Sequence, residues 1–219
     1  MASEAKSRKE GKFGIGEAVR FGWKVTLKNF WFLVVIMIID FVLNGGSYTT
    51  NNSENIDSSV LTIAIIGGLA IAVFAMIVRI GMKMIFIKLS RGEKTGFGEL
   101  VAHYRRFWSY LGASILYGFV VTAGLILLVV PGIIWGIKYS MFSYLIVDKK
   151  MSALEALRES SKITMGEKWP LFLFGLLSIL IAIAGFLALG IGAFFAIPTI
   201  YLATAYIYLK LSGQKTASV

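Results

Sequence analysis

The chain of 219 residues has no cysteine, which excludes disulfide bonds, thiolate metal sites and cysteine nucleophiles. It has one histidine, His103, so no second histidine stands at metal-ligand spacing from it. The HExxH, GxSxG, Walker and GxGxxG sequences, which mark zinc, serine-nucleophile and nucleotide sites, do not occur. We therefore expect no enzymatic activity, no metal and no cofactor.

Charged residues are scarce as well, at 16% of the chain against about 25% in soluble domains. Hydrophobic residues make up 57%, against a usual ~45–50%. A soluble chain of this size cannot bury that excess, because much of its surface would still face water, whereas a bilayer accepts apolar side chains on the outside of the fold. The composition excludes soluble enzymes and disordered proteins, and it predicts an all-α integral membrane protein.

Apolar stretches bounded by charge, proline or glycine predict six transmembrane helices. They cover residues 30–43, 60–78, 108–130, 133–147, 171–189 and 193–209. The first and fourth are shorter than the roughly 20 residues that cross the hydrocarbon core, so tilt or local thinning is expected there. Successive spans pair into three hairpins.

The basic residues are distributed unevenly between the connections. Of 22 Lys and Arg, 19 lie in residues 1–29, 88–107, 148–170 and 210–219, and the alternate connections hold none. By the positive-inside rule the basic side is the cytoplasm, so we expect a multi-pass protein of the cell (inner) membrane with cytoplasmic N- and C-termini. The net charge of +10 then reflects topology, and no nucleic acid partner is expected.

An internal similarity with an offset of 138 residues indicates a repeat. Residues 17–31 share six identical positions with residues 155–169, and residues 98–108 form a looser copy. We interpret residues 1–219 as a single membrane domain of three units. Each unit is a cytoplasmic amphipathic helix, a tryptophan at the membrane surface and a hairpin of two spans; residues 1–29 form a basic segment and 210–219 a cytoplasmic tail.

The amphipathic helices carry basic residues on one face and apolar residues on another, a pattern typical of helices at a membrane interface. The candidate headgroup-binding residues are Arg20, Lys24, Lys28, Arg105, Arg106, Arg158 and Lys162. The candidate interfacial anchors are Trp31, Trp108 and Trp169. Two interpretations remain open: the helices only cover the ends of the spans, or they recruit anionic lipid or a protein partner of unknown identity.

Glycine and proline mark turns and close helix contacts. Pro131 and Gly132 are expected to form the outer turn between the third and fourth spans, and Pro198 to kink the sixth. Gly132 and Gly136 form a small-xxx-small pair that we interpret as intramolecular helix packing.

Two charges within spans, Asp40 and Lys138, lie at similar depth when residues are counted from the outer surface. We hypothesise that they form an intramembrane ion pair, because burying either charge alone is costly. A structural pair, separate snorkelling to the outer interface and a coupling site for protons or cations remain open. Arg79 and Lys83 are expected to extend the second span into the headgroup layer.

Several segments carry a resemblance to a known group of proteins. These are the Pro-Gly pair after Val130, the span that ends at Asp148, and the residues 152–160 followed by Trp169. They resemble uncharacterised bacterial and archaeal membrane proteins related to the membrane domain of some glycerophosphodiester phosphodiesterases. The resemblance covers roughly residues 95–190. It implies fold and membrane location, and it transfers no catalytic residue because the catalytic barrel of the fused relatives is a separate domain.

These observations favour a non-enzymatic membrane scaffold or accessory protein whose basic helices engage anionic lipid or a membrane partner. The alternative is a small-solute, ion or lipid transporter or channel that uses Asp40 and Lys138. An enzyme that acts on lipid is the least favoured, since no candidate catalytic residues are present.

Overall fold

The computed structural model describes residues 12–45, 58–188 and 192–218, and all regular secondary structure in them is helical. The helices are α1 (Ile15–Lys28), α2 (Phe30–Gly45), α3 (Ser58–Arg91), α4 (Glu99–Ala102), α5 (Phe107–Leu127), α6 (Val129–Tyr139), α7 (Phe142–Lys149), α8 (Ala153–Ile163), α9 (Lys168–Leu187) and α10 (Ala193–Leu211). A 3-10 turn, Tyr104–Arg106, precedes α5. The prediction of an all-helical protein is confirmed for this part of the chain.

By length and composition, five helical segments could cross a membrane: Leu61–Arg91, Glu99–Leu127, Val129–Lys149, Lys168–Leu187 and Ala193–Leu211. A sixth is obtained if α1 and α2, which meet at a bend of 96°, count as one broken span. Most of the predicted outer loop and most of the connection between the last two spans lie outside the described residues.

The buried core lies toward one end of the bundle. In α3 every described side chain from Leu61 to Phe74 is exposed, whereas most of those from Ala75 to Ser90 are buried. The large side chains that are fully buried include Phe86, Leu145, Leu202 and Tyr208, near the ends of α3, α7 and α10. The exposed half of α3 is almost wholly apolar, a surface suited to contact with lipid.

Each predicted cytoplasmic segment packs on the second span of a unit. The segment α4 packs on α3, α8 packs on α7, and α1 packs on the last helix, α10. Glycine allows two of these contacts, since a Cβ at Gly22 would lie 2.4 Å from the Thr199 carbonyl oxygen and a Cβ at Gly81 would lie 2.4 Å from the Leu100 Cα. The units therefore contact one another in a closed cycle, which favours the repeat interpretation.

The second and the third hairpin each contain a close backbone contact of the same kind. A Cβ at Gly124 would lie 2.9 Å from the Cα of Gly132, and a Cβ at Gly185 would lie 3.0 Å from the carbonyl oxygen of Gly192. The glycines Gly124 and Gly185 are 61 residues apart in the chain, at corresponding places near the ends of α5 and α9. The same near-contact of backbones thus closes both helix pairs.

The structure differs from the sequence-based expectation in the region of the fourth span. The chain turns at Leu128, whose extended backbone (φ −162°, ψ 140°) separates α5 from α6, so Pro131 lies in the first turn of α6 and Gly132 lies within that helix. Proline is tolerated there because the first N–H groups of a helix have no intrahelical acceptor. The stretch 133–147 is divided between α6 and α7 by a break at Ser140 and Met141.

The second span is also longer than its sequence indicated. Helix α3 has 34 residues, about 50 Å at 1.5 Å per residue. Arg79 and Lys83 stand well inside it, 12 and 8 residues before its last residue, Arg91. The helix continues for about two turns beyond Lys83, and the position of both residues in the headgroup layer stays a prediction.

We expect Gly22→Ala to weaken the contact between α1 and α10, because the added methyl group would meet backbone that cannot move aside. The expected loss is about 1–3 kcal/mol, as for other overpacked cores, with a lower thermal midpoint in detergent. The matched control is Gly16→Ala in the same helix, where a Cβ has no atom within 4 Å. It should be neutral or stabilising by about 0.5–1 kcal/mol; equal destabilisation by both variants would contradict the contact.

Candidate functional site

The break between α6 and α7 frees backbone groups that α8 satisfies. The Ser160 hydroxyl donates to the Lys138 carbonyl oxygen at 3.1 Å and accepts from the Met141 N–H at 3.1 Å. The Thr164 hydroxyl lies 3.0 Å from the same Lys138 oxygen and 2.8 Å from the Ser160 carbonyl oxygen. Both hydroxyl side chains are buried, so these bonds hold α8 against the break.

The start of α8 is set by its own residues. Ser152 and Glu155 form a capping box, in which the Ser152 N–H donates to Glu155 Oε2 at 3.0 Å. This hydrogen bond from the Ser152 backbone lowers the pKa of the Glu155 carboxyl below its ordinary value. The cap and the two hydroxyls together determine the position and direction of α8.

A groove of about 480 Å³ lies between α5, α6 and α8, and we call it the α8 groove. Lys138, Arg158 and Lys162 supply three cationic side chains to its lining. Its apolar lining residues are Leu116, Val120, Leu154 and Leu157. Positive charge and apolar surface thus meet in one concave site.

The three cations of the α8 groove differ in their contacts. The Lys162 ammonium lies 3.3 Å from Glu159, and its side chain is 72% exposed, so solvent weakens that pair. The Lys138 ammonium lies 5.1 Å from the ring centroid of Tyr139, a cation–π distance. Arg158 is exposed and has no ion pair within the described part of the chain. The groove therefore has positive charge that can pair with a bound anion.

The equivalent cations of the first unit line a second cavity, of about 440 Å³, beside the C-terminal tail. Arg20 and Lys24 stand there with Lys210 from the end of α10. Glu17 offsets part of this charge, since it lies 3.8 Å from Lys210 and accepts a hydrogen bond from the Tyr206 hydroxyl. Three cations and one neighbouring carboxylate thus stand at each site, but here the carboxylate, Glu17, lines the cavity itself.

The remaining headgroup candidates are more dispersed. Lys28 lines a cavity at the junction of α1, α2 and α3. Arg105 Nε lies 3.4 Å from the Tyr104 hydroxyl, and Arg106 donates to the Lys150 carbonyl oxygen at 3.2 Å. Neither arginine lines the α8 groove.

The three candidate anchors occupy the same place in their helices. Trp31, Trp108 and Trp169 are each the second residue of an apolar helix, α2, α5 and α9 respectively. Their side chains are 78%, 78% and 66% exposed. Exposure at the start of a span is compatible with an interfacial ring, and the anchoring role stays a prediction.

The two charges proposed to pair contact other groups. Asp40 Oδ1 lies 3.7 Å from Arg79 Nε of the neighbouring helix α3. Helix α2, which carries Asp40, packs on α3 and α10, while α6, which carries Lys138, packs on α5, α8 and α9. Equal depth in the sequence does not make two residues neighbours, so a pair between Asp40 and Lys138 stays a prediction that these contacts do not favour.

Lys83, which the sequence predicted to extend the second span into the headgroup layer, packs against α7. Its ammonium donates to the Ser143 hydroxyl at 3.0 Å and lies 4.9 Å from the ring centroid of Tyr144. Lys83 and Arg79 are one turn apart in α3. Arg79, Lys83 and Asp40 therefore lie close to one another in the middle of the contacts that α3 makes with α2 and α7.

A polar network that the sequence analysis did not predict joins the ends of three spans. Asp148 accepts hydrogen bonds from Arg91 at 2.5 Å, from the Tyr208 hydroxyl at 2.7 Å and from the Gln214 amide at 2.9 Å. Arg91 also donates to Gln214. The sequence showed Asp148 as an acidic residue at the end of a span. Its partners could not be predicted, because they come from two other helices and the C-terminal tail, which are far apart in the chain.

The small-residue pair in α6 packs within the molecule. A Cβ at Gly132 would lie 2.6 Å from the Leu125 side chain, and the Gly136 carbonyl oxygen accepts a hydrogen bond from the Tyr117 hydroxyl at 3.2 Å. Both contacts are with α5. Through Tyr117, which also lines the α8 groove, this packing helps to shape the candidate site.

Comparison with known proteins gives a limited result. Residues 117–215, less than half of the chain, match a family described as a protein of unknown function, DUF975. No curated protein and no solved structure matches the chain. The similarity is thus to a family without an assigned activity, and nothing found supports the resemblance to the phosphodiesterase membrane domain.

Ser160→Ala should destabilise the protein, because the Lys138 carbonyl and the Met141 N–H would each lose a hydrogen-bond partner in a buried place. The expected cost is about 1–3 kcal/mol, measured as a lower thermal midpoint in detergent. The neighbouring variant Ser161→Ala is the control and should stay within about 0.5 kcal/mol of the parent. If both variants unfolded at the same temperature, the role of Ser160 at the break would be wrong.

Proposed function

We propose that this protein is a non-enzymatic integral membrane protein that binds anionic phospholipid at the α8 groove, on the cytoplasmic side of the cell (inner) membrane. The proposal rests on one observation: the α8 groove brings the cations Lys138, Arg158 and Lys162 together with apolar side chains in one concave site. Such a protein serves as a scaffold or accessory component whose position or stability depends on lipid composition.

The groove suits the two chemically different parts of a phospholipid. Its cations can pair with a headgroup phosphate, to which arginine offers a planar fork of donors and lysine a compact charge. Leu116 and Val120 lie on the spanning helix α5, so an acyl chain can continue along the same surface into the membrane. A soluble anion would use only the polar half of this site.

Charge balance supports an anionic headgroup over a zwitterionic one. Glu159 is the carboxylate within ion-pair distance of the groove's cations, and it lies on Lys162 at 3.3 Å. Juxtamembrane Lys and Arg residues each contribute about 1 kcal/mol to binding an anionic surface. A net excess of two positive charges near the groove therefore favours lipid with a negative headgroup.

The first experiment replaces Lys138, Arg158 and Lys162 together by glutamine, which removes the charges and retains much of the side-chain length. Detergent-purified protein is titrated with phosphatidylglycerol and with phosphatidylcholine and observed by native mass spectrometry. Loss of three cations at about 1 kcal/mol each should weaken phosphatidylglycerol binding roughly 100-fold. Binding of phosphatidylcholine should change little.

The matched control removes three positive charges elsewhere, by glutamine at Lys149, Lys168 and Lys215, which are exposed and outside the groove. This variant should bind phosphatidylglycerol almost as the parent does. If both triple variants lost the same affinity for phosphatidylglycerol, net charge alone would explain the effect. An unchanged affinity in the groove variant would reject the α8 groove as the binding site.

A second candidate function, a channel or transporter for small ions, is supported by Asp40, Arg79 and Lys83 within spanning helices. Ionisable residues at membrane depth commonly mark ion pathways. The sequence suggested Lys138 as the partner of Asp40, but Arg79 Nε lies 3.7 Å from Asp40 Oδ1 in the structure, so Arg79 is the better partner to test.

The test reconstitutes the protein in liposomes and follows proton and chloride movement under an imposed potential. A transporter predicts flux above protein-free liposomes that Asp40→Asn reduces at least tenfold. Exchange of charges between Asp40 and Arg79 should recover part of the flux, whereas exchange between Asp40 and Lys138 should not. Absence of flux in the parent would remove this candidate and leave lipid binding untouched.

A further inference from the structure

A cavity of about 690 Å³ lies where α1, α2 and α3 meet the connection that follows α3. We call it the junction cavity. Its polar lining includes Lys28, Asn29, Arg91, Lys94 and Thr95. Its apolar lining includes Val25, Phe32 and Leu89. None of the three cations belongs to the α8 groove, so the two sites are separate.

The wall of the cavity is built by a defined helix end. Gly92 adopts a left-handed conformation (φ 77°), its N–H donates to Leu89 at 3.1 Å, and the Glu93 N–H donates to Lys88 at 2.9 Å. These two bonds form the Schellman motif that ends α3. The motif turns the chain sharply, so that Lys94 and Thr95 face the same cavity as Arg91.

The lining carries an excess of positive charge. Lys28, Arg91 and Lys94 face one lining carboxylate, Glu93, and Asp148 pairs with Arg91, so one positive charge is left over. Arg91 uses Nη2 for its bonds to Asp148 and Gln214. Its Nη1 and Nε groups have no hydrogen bond to the described residues, so a guanidinium already held in place by Asp148 keeps donors for another acceptor.

Thr95 provides an independent indication of a ligand. Its hydroxyl oxygen is buried and has no hydrogen-bond partner within residues 12–45, 58–188 and 192–218. A buried polar group without a partner costs about 1–3 kcal/mol. Thr95 lines the cavity, so rotation of its side chain on binding would turn the hydroxyl from its buried position toward an anion's oxygen.

We propose that the junction cavity binds a phosphate ester. Phosphate oxygens can accept charge-assisted bonds from Arg91 and Lys94, and a further bond from the Thr95 hydroxyl once that side chain rotates toward the cavity. The volume falls within the range of small-molecule sites, about 300–1,000 Å³, and exceeds the needs of a bare phosphate ion. The apolar side formed by Val25, Phe32 and Leu89 then contacts the organic part of the ester.

The phosphate ester has two possible sources, a soluble compound or the headgroup of a membrane lipid, and the experiment separates them. Purified full-length protein is titrated with phenyl phosphate by isothermal calorimetry, in detergent and in nanodiscs of phosphatidylcholine. A parallel arm measures phosphatidic acid uptake by native mass spectrometry in the triple glutamine variant of the α8 groove, so that lipid bound at that groove does not contribute. Phenyl phosphate binding in both media identifies a soluble source; strong phosphatidic acid uptake with weak phenyl phosphate binding identifies a lipid source.

The variants are Lys94→Gln and Thr95→Val. Lys94→Gln should weaken the bound probe at least tenfold, and Thr95→Val about fivefold, which corresponds to about 1 kcal/mol. Without ligand, Thr95→Val should leave thermal stability equal or raise it, because it removes an unpartnered buried hydroxyl. A purely structural threonine predicts the reverse, a loss of stability and no effect on binding.

Lys149→Gln is the matched control, since Lys149 is exposed at the end of α7 and lies outside the cavity. It should bind the probes as the parent does. The proposal is overturned if neither phenyl phosphate nor phosphatidic acid binds, or if Lys94→Gln and Lys149→Gln weaken binding equally. The triple glutamine variant of the α8 groove should retain binding here, so failure at one site does not decide the other.

Discussion

The carbonyl oxygen of Lys138 meets two hydroxyl groups, from Ser160 and Thr164, at 3.1 and 3.0 Å. In a membrane an unpaired backbone group costs several kcal/mol, so a spanning helix can break only where other groups replace its lost bonds. Here α8 supplies them, and the break between α6 and α7 is tolerated as a result. The same bonds place Arg158 and Lys162 beside Lys138 and thereby create the α8 groove.

The first unit has the corresponding contact with a different chemistry. Gly22 and Thr26 of α1 stand where Ser160 and Thr164 stand in α8, and they meet Thr199 of α10: the Thr26 and Thr199 hydroxyls lie 3.2 Å apart. Helix α10 continues through Thr199 without a break, even with Pro198 beside it. No freed carbonyl needs a serine there, and a glycine that permits close approach suffices. Both copies have the threonine. Four residues earlier they differ, with Gly22 in α1 and Ser160 in α8, because only α8 packs on a broken span.

Parts of the candidate sites were predictable from local pattern. The basic faces of the amphipathic helices were visible in the spacing of Arg20, Lys24, Arg158 and Lys162, because a helix places residues three or four apart on one side. Their companions Lys138 and Lys210 were not predictable, because each comes from a different helix. Lys138 shows the difficulty best: residue counting placed it level with Asp40, yet depth along two helices says nothing about which helices are neighbours. The same holds for Asp148, whose partners Arg91, Tyr208 and Gln214 lie on other helices or in the tail.

By itself the sequence determined that the protein is helical and indicated a membrane protein, because 57% hydrophobic residues in long stretches cannot be covered by a soluble fold of 219 residues. It also predicted the repeated unit and the basic helices, since composition and periodicity are local properties of the chain. Only the tertiary structure decided where the fourth span breaks, which cations share a cavity and which carboxylate meets which guanidinium. Those outcomes depend on contacts between separate helices, from Ser160 with Lys138, which are 22 residues apart, to Thr26 with Thr199, which are 173 residues apart. Local pattern carries no information about such contacts, because the packing of whole helices selects them.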